Sequence, residues 1–240
     1  LNKLIIYCEF MSQLKNNLSQ FLNYLASIPA DSDQRIPPLS DLSQEIGLSI
    51  ATLREQMAAA RMLGVVEAKP KVGIRKVQFN FKRAIKPALN YAVAAESISF
   101  QKFAELRKHL ESSYFIEAAQ SLSAEDISRL EELIQTAQTK ITASPFQIPS
   151  DEHRKFHTFI YHRLENPYLD GLLDAFWDIY HLNGFEVYPD LGYIERIWQY
   201  HARIVDEIKS RNYAQGLSLL LEHMELVNQR EKVIPRLSFE

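Results

Sequence analysis

A chain of 240 residues is long enough for one large domain or two modest ones, and its 46% apolar and 24% charged residues are ordinary for a soluble globular protein. Its single cysteine, Cys8, excludes an intramolecular disulfide and fits a reducing cytoplasm. No stretch approaches the ~20 apolar residues of a transmembrane helix, and the apolar start lacks the cleavage site of a signal peptide. We therefore expect a cytoplasmic protein that does not cross a membrane.

The charges are divided unevenly along the chain. Residues 1–86 carry 12 Lys and Arg against 7 Asp and Glu, a net charge of +5, whereas residues 87–240 carry 15 against 23, a net charge of −8. Between Lys69 and Lys86 there are seven basic residues and no acidic one. Such asymmetry indicates a basic module that meets a polyanion, although a solvated basic face is an equally good explanation at this point.

The first elements in the chain are predicted to be helices. Apolar residues at helical spacing predict a helix over residues 12–28, and a polar, proline-bearing loop follows over residues 31–38. A short second helix over residues 40–46 ends at Gly47, because glycine tolerates the left-handed backbone that follows a helix. Ser49 is then placed to cap the N-terminus of a third helix.

The third helix, over residues 50–63, completes a helix-turn-helix pattern, in which base contacts come from the N-terminal end of the second helix of the pair. Residues 64–68 and 74–79 have the pattern of two strands, joined by a basic, glycine-bearing turn. Such a hairpin directly after a helix-turn-helix is a wing, whose Lys71 and Arg75 would meet phosphate or a minor groove. These local patterns agree, and DNA binding is therefore favoured over a solvated basic face.

The N-terminal part resembles the winged-helix domain of the GntR family of bacterial transcription regulators over about residues 12–80. The resemblance rests on Ile36-Pro37-Pro38, residues 42–49, Leu53-Arg54-Glu55, residues 63–67 and Pro70-Lys71-Val72-Gly73. In this chain Ile50 and Ser40 stand where the family usually has DNA-contacting arginines, which leaves open a weaker or differently specific DNA binder. The resemblance and the wing pattern together imply a DNA-binding set of Ser49, Thr52, Arg54, Lys71, Gly73 and Arg75.

The remainder of the chain reads as helices, with no strand alternation after about residue 80. Ser123 with Asp126 is predicted to form a capping box, and Ser150 is a candidate N-cap for a helix over residues 151–164. Further helices are predicted over residues 84–98, 100–120, 123–141, 167–180, 194–211 and 213–230. The sequence thus predicts a mostly α protein, with a winged helix-turn-helix domain over residues 1–82 and an antiparallel helical bundle over residues 83–240.

Four histidines of the second half have spacings that a metal site could use: His153, His157, His201 and His223. His153 and His157 are four residues apart on a predicted helix, so both imidazoles share one face. From spacing alone, four unrelated histidines on surfaces or in a core are about equally plausible.

This half resembles the ligand-binding domain of the FadR-type branch of GntR regulators over nearly all of residues 98–230. The resemblance rests on Leu106-Arg107, Leu110-Glu111, Glu117-Ala118-Ala119, Phe156-His157, Asn166-Pro167 and the interval from His201 to His223. Many members of that branch hold a divalent metal through an Asp, a His four residues later and two further histidines. The resemblance implies that His157, His201 and His223 are metal ligands, with His153 at the Asp position.

Replacing the usual Asp by His153 has chemical consequences. Asp151 lies six residues before His157, roughly 120° away around a helix, so it is not assigned the missing role. An all-imidazole set favours Zn²⁺, Ni²⁺ or Cu²⁺ over Mn²⁺ or Mg²⁺, and we expect Zn or Ni. The uncompensated metal charge favours an anionic ligand, which by the resemblance is a small carboxylate effector. Arg107 is the residue expected to help hold it, unless it pairs with Glu111 instead.

The predicted function is that of a homodimeric transcriptional regulator, not an enzyme, with operator DNA and a small carboxylate as partners. One alternative is a metal-dependent, hydrolase-like enzyme, for which Asp151 and Glu152 are the available general bases near the histidines. The other alternative is an interaction protein with a weakened DNA-binding domain, for which Ser40 and Ile50 are the hints. A buried cluster of histidines without metal also remains open.

Overall fold

The computed structural model of the chain describes residues 16–29, 35–69, 73–95, 100–182 and 190–231. The chain divides into two units, Leu1–Pro87 and Ala88–Glu240. Helices dominate, and the described strands form one small antiparallel sheet, which confirms the predicted mostly α class. No helix in these ranges is both long and apolar enough to cross a membrane.

Before the first long strand, the described part of the N-terminal unit contains three short helices: α1 (Gln20–Ser27), α2 (Leu39–Ile46) and α3 (Ile50–Met62). The helix predicted over residues 12–28 is shorter than expected, because the Ser19 side chain accepts a hydrogen bond from the backbone N–H of Leu22 and caps the helix there. Residues 12–15 lie outside the described residues.

The turn between α2 and α3 has the predicted geometry. Gly47 follows α2 in the left-handed conformation, with φ of 70°. Ser49 caps α3, since its hydroxyl accepts a hydrogen bond from the backbone N–H of Thr52 at 3.1 Å. Leu42 and Leu53, one from each helix, are fully buried in the core of the unit. This packing fixes the angle between the two helices and leaves the first turn of α3 partly exposed.

A three-stranded antiparallel sheet follows the helices in the order β1-β3-β2. Its strands are β1 (Arg35–Ile36), β2 (Val66–Lys69) and β3 (Gly73–Lys76). The strands β2 and β3 are the predicted wing hairpin. The prediction of a loop over residues 31–38 was wrong where β1 lies, because a strand of two residues is too short to show alternation. It forms because Ile36 is buried and pairs with Ile74.

Seven helices follow: α4 (Phe81–Ala94), α5 (Phe100–Ser121), α6 (Ala124–Thr142), α7 (Ser150–Ile160), α8 (Pro167–Leu182), α9 (Leu191–Lys209) and α10 (Tyr213–Glu231). From α5 onward they build the helical unit. A short 3₁₀ helix, His162–Leu164, lies between α7 and α8. Helices α9 and α10, joined by three residues, pack along each other as an antiparallel pair. The predicted helical bundle is therefore confirmed.

Two helix ends of this unit test the predicted caps. The capping box of Ser123 and Asp126 is present at the start of α6. The prediction that Ser150 caps α7 was wrong: the carbonyl of Pro149 accepts the first helical bond, from His153, so Ser150 is already inside the helix. The predicted end at residue 164 was also wrong, because α7 stops at Ile160 and the tighter 3₁₀ turn follows.

Candidate metal centre

The four predicted histidines converge inside the helical unit. Helix α7 supplies His153 and His157 one turn apart, α9 supplies His201 and α10 supplies His223. All four side chains are buried, and each offers a nitrogen within 4.8 Å of those of the other three. Histidines from three helices, as far apart in the chain as His153 and His223, thus meet at one point.

The rings of His157, His201 and His223 direct their Nε2 atoms toward one another. The Nε2 atoms of His157 and His223 are 3.0 Å apart, and the Nε2 atom of His201 lies 3.2 Å from that of His157 and 3.3 Å from that of His223. A tetrahedral zinc site with Zn–N bonds of 2.0–2.1 Å has ligand nitrogens about 3.3 Å apart. The triangle of nitrogens therefore has the dimensions of one face of such a site.

His153 lies beside this triangle. Its ring centroid is 5.1 Å from that of His157, 5.0 Å from that of His201 and 4.6 Å from that of Trp177, with the Trp177 ring inclined by 70°. Its Nε2 atom is buried and, among the residues that the structure describes, has no hydrogen-bond partner. Buried polar atoms are nearly always paired, so an unpaired nitrogen beside three converging ones fits a place for a metal ion.

Burial keeps these imidazoles neutral. It is the largest cause lowering the pKa of His153, His157, His201 and His223 well below the ordinary value of 6.5. The positive charge of Arg107 lowers all four further. Neutral imidazole is the form that binds a metal, so the four side chains are competent ligands at neutral pH.

A carboxylate from α5 orients one of the rings. Glu111 is fully buried, and its Oε2 atom lies 2.7 Å from Nδ1 of His157. The carboxylate can only accept, so the proton sits on Nδ1 and the Nε2 lone pair of His157 faces the triangle. Burial raises the pKa of the Glu111 carboxyl, while the adjacent Arg107 opposes that rise.

The side chain of Arg107 pairs with Glu111, the alternative that the sequence left open for this arginine. Its Nε atom donates to Oε1 of Glu111, and its guanidinium lies 4.5 Å from the ring centroid of Phe176 and 4.7 Å from that of Trp177. Its Nη2 atom is buried without a hydrogen-bond partner among the described residues. Arg107 is therefore anchored on one side and still has donor capacity.

Neither carboxylate considered as a catalytic base lies at the histidine cluster. Asp151 is exposed on α7. Glu152 points to α6 instead, where both of its oxygens accept hydrogen bonds from Nζ of Lys140 at 2.8 Å. Glu111, which does touch the cluster, was not linked to His157 by the sequence, because 46 residues separate them and no local pattern joins their helices.

The residues predicted to bind DNA lie on two elements of the N-terminal unit. Ser49, Thr52 and Arg54 are at the start of α3, and Gly73 and Arg75 are on β3, whereas Lys71 lies outside the described residues. Sequence reasoning missed Arg35, which β1 places directly across from Arg75 in the sheet. On β2, Glu67 lies directly across from Arg75 and offsets part of this like charge. Arg35 is therefore an additional basic candidate by its place beside Arg75 in the sheet.

Matches to protein families and to known proteins cover most of the helical unit and most of the whole chain. Residues 102–226, more than half of the chain, match the family model of the FCD domain. The HTH-type transcriptional regulator YcbG of Bacillus subtilis is 23% identical over 222 residues, which cover 92% of this chain and 89% of that protein.

Solved structures show the same fold. A GntR protein of Streptococcus agalactiae superposes with a TM-score of 0.64 at 16% identity, covering 88% of this chain and 95% of that chain. Lar of Listeria monocytogenes, described as controlling the expression of the agr system, superposes with a TM-score of 0.50 at 15% identity, covering 90% and 96%. The chain therefore belongs to the FCD domain family, and its fold is that of these GntR-type transcriptional regulators.

Proposed function

We propose that this regulator binds operator DNA through its N-terminal unit and that a small carboxylate, bound at a transition-metal site in the helical unit, controls its operator affinity. The observation that carries the proposal is the triangle of Nε2 atoms of His157, His201 and His223, with sides of 3.0 to 3.3 Å, beside a buried arginine with an unpaired donor.

The donor set supports Zn²⁺ or Ni²⁺ as the metal. His157, His201 and His223 present three neutral nitrogens, and His153 supplies a fourth within 4.8 Å. Imidazole suits these ions better than Mn²⁺ or Mg²⁺, which favour carboxylate and water. Within this site the bound ion would supply a positive centre that accepts an oxygen of an anionic ligand.

The surroundings support a carboxylate as that ligand. The four imidazoles bring no negative charge, and the buried carboxylate of Glu111 offsets part of the metal charge through His157. Arg107 keeps its unpaired Nη2 donor, and Trp177 has a buried indole N–H without a hydrogen-bond partner among the described residues. A carboxylate oxygen would satisfy such donors, whereas a neutral apolar ligand would leave them unpaired.

The mechanism we infer is a coupling between two binding events. A ligand at the helical unit changes operator affinity if it binds better to one of two states of the regulator, and such coupling is typically about 1–3 kcal/mol. A homodimer reading two half-sites of an operator in the bacterial cytoplasm is the arrangement that helix-turn-helix proteins commonly use.

Metal analysis of the full-length protein tests this function first. Wild type purified without added metal is compared with the double variant His157→Ala plus His201→Ala, and His109→Ala, an exposed histidine on α5, is the matched control. We expect about one equivalent of Zn or Ni in wild type and control, and its loss in the double variant. Wild type that holds no metal even after incubation with Zn²⁺ and Ni²⁺ would remove the metal from the mechanism.

Intrinsic fluorescence gives an independent readout. The chain has two tryptophans, and both lie at the histidines: Trp177 is 4.6 Å from His153 and Trp198 is 4.7 Å from His201 between ring centroids. Titration with Ni²⁺ should therefore change tryptophan emission in wild type and in His109→Ala but not in the double variant. Binding to the DNA upstream of the regulator's own gene, measured with and without Zn²⁺ and acetate, then tests the coupling itself.

A further inference from the structure

The first turn of α3 presents an apolar surface where a helix-turn-helix protein faces DNA. Ile50, the first residue of the helix, is 42% exposed, and Ala51 beside it is exposed as well. The residue that holds this turn in the core is Leu53, which is fully buried. Ile50 and Ala51 therefore point away from the core of the unit on the side that would enter a major groove.

Three uncharged polar side chains of the same two turns, those of Ser49, Thr52 and Gln56, make hydrogen bonds within the protein. The hydroxyl of Ser49 accepts a hydrogen bond from the backbone of Thr52 and lies 2.9 Å from the hydroxyl of Thr52. The side-chain oxygen of Gln56 accepts a hydrogen bond from the backbone N–H of Phe21 at 2.9 Å. These contacts leave the aliphatic side chains as the prominent feature at the start of the helix.

The charge around this surface suits DNA. Arg54, one turn after Ile50, is exposed, and within the described part of the chain no ion pair or hydrogen bond engages its side chain. The exposed Arg61 lies on the same helix. Residues 1–86, which include α3, carry a net charge of +5.

Base edges in the major groove are almost entirely polar, and the exception is the C5 methyl group of thymine. We propose that Ile50, with Ala51 beside it, is a specificity-determining residue that packs against thymine methyl groups in the major groove. The operator then carries thymine where the first turn of α3 lies. This inference rests on the proposed DNA-binding function and adds the base that the unit selects.

A methyl-deletion experiment on the DNA tests the inference directly. Full-length protein, metal-free and loaded with Zn²⁺, selects sites from a randomised duplex library. The dissociation constant is then measured for the selected duplex and for copies in which single thymines are replaced by uracil, which removes the methyl and leaves the hydrogen-bonding groups. For wild type we expect at least one position at which uracil weakens binding about fourfold, the size of one lost methyl contact.

The protein variants identify which residue makes that contact. Ile50→Ala should bind thymine and uracil duplexes almost equally at that position. Met62→Ala, which removes an exposed apolar side chain from the other end of α3, should keep the wild-type discrimination. Ile50→Arg should replace the thymine preference by guanine at the same position, because arginine pairs with the O6 and N7 atoms of guanine. Unchanged helical content by circular dichroism confirms that each variant is folded.

The outcomes separate the two proposals. If wild type enriches no sequence in either metal state, the proposed DNA-binding function fails and this inference fails with it. A second outcome is that wild type enriches a site at which replacing thymine by uracil leaves the dissociation constant unchanged, or raises it equally for wild type and Ile50→Ala. In either case DNA binding stands and the proposed role of Ile50 is wrong.

Discussion

The carboxylate of Glu111 lies 2.7 Å from Nδ1 of His157, and both side chains are fully buried. This pair joins α5 to α7 at the point where the histidine nitrogens converge. Because Glu111 is also held by Arg107, the orientation of one candidate metal ligand is coupled to the residue proposed to meet the effector. A metal ion at the histidines and an effector at Arg107 would thus be connected through two side chains of α5, Arg107 and Glu111.

Substituting Glu111 should weaken metal binding without removing a ligand. In Glu111→Gln the amide oxygen can still accept a hydrogen bond from Nδ1 of His157. The negative charge that makes the imidazole a stronger metal ligand is gone. We expect the Zn²⁺ affinity to fall about 10- to 100-fold, measured by chelator competition with tryptophan fluorescence. Glu117→Gln, on the exposed side of the same helix, is the control and should bind Zn²⁺ like wild type. An unchanged affinity in folded Glu111→Gln would show that the pair is structural only.

The residue at position 153 should set the choice of metal. His153→Asp replaces an imidazole beside the Nε2 triangle by a carboxylate, a donor that Mn²⁺ prefers. We expect the ratio of bound Mn to bound Zn to rise on the order of tenfold after dialysis against both ions. His109→Asp adds the same charge at an exposed site and should leave the ratio unchanged. The same ratio in His153→Asp and wild type would place His153 outside the coordination shell.

The stability of the metal-free protein should fall as the pH is lowered. The pKa values of His153, His157, His201 and His223 are well below 6.5 in the folded state because the rings are buried. Below pH 6.5 the unfolded chain therefore binds protons that the folded chain does not, and the free energy of unfolding decreases. Each ring contributes up to about 1.4 kcal/mol per pH unit.

Urea unfolding with a chelator, followed by circular dichroism between about pH 7.5 and pH 5.5, measures this decrease. His109→Ala, which removes an exposed histidine, should not alter the dependence of the free energy of unfolding on pH. A free energy of unfolding that is constant across this range would contradict the burial of neutral histidines.

Two glycines of the N-terminal unit should differ in their tolerance of alanine. Gly47 and Gly64 both have left-handed backbone, with φ of 70° and 69°. A Cβ at Gly47 meets no atom within 4 Å, whereas a Cβ at Gly64 would lie 2.7 Å from Cβ of Arg83. We expect Gly47→Ala to cost about 1 kcal/mol from backbone strain alone, and Gly64→Ala to cost more because α4 must also shift.

Hydrogen exchange of α2 and α3 in the full-length protein is the suitable measurement, since both tryptophans lie in the other unit. Equal losses of protection in the two variants would show that the chain near Arg83 adjusts without cost.

Much of the fold follows from local sequence patterns. Apolar spacing indicated the helices of both units, and Gly47 and Ser49 marked the turn before α3 because their backbone and capping preferences act within a few residues. The pattern did not reveal β1, whose two residues form a strand through pairing with Ile74, nor the change from α7 to a 3₁₀ turn after Ile160. Those features depend on neighbours that the local sequence does not contain.

The sequence by itself determined that His153 and His157 share a helix face, since a spacing of four residues is one helical turn. Only the tertiary structure decided that His201 and His223 come from two other helices to within 3.3 Å of His157. It also decided that Glu111 orients His157 and that Arg107 lies against aromatic rings of α8. The physical reason is that these contacts join helices far apart in the chain, and their geometry is set by the packing of the whole core rather than by any local period.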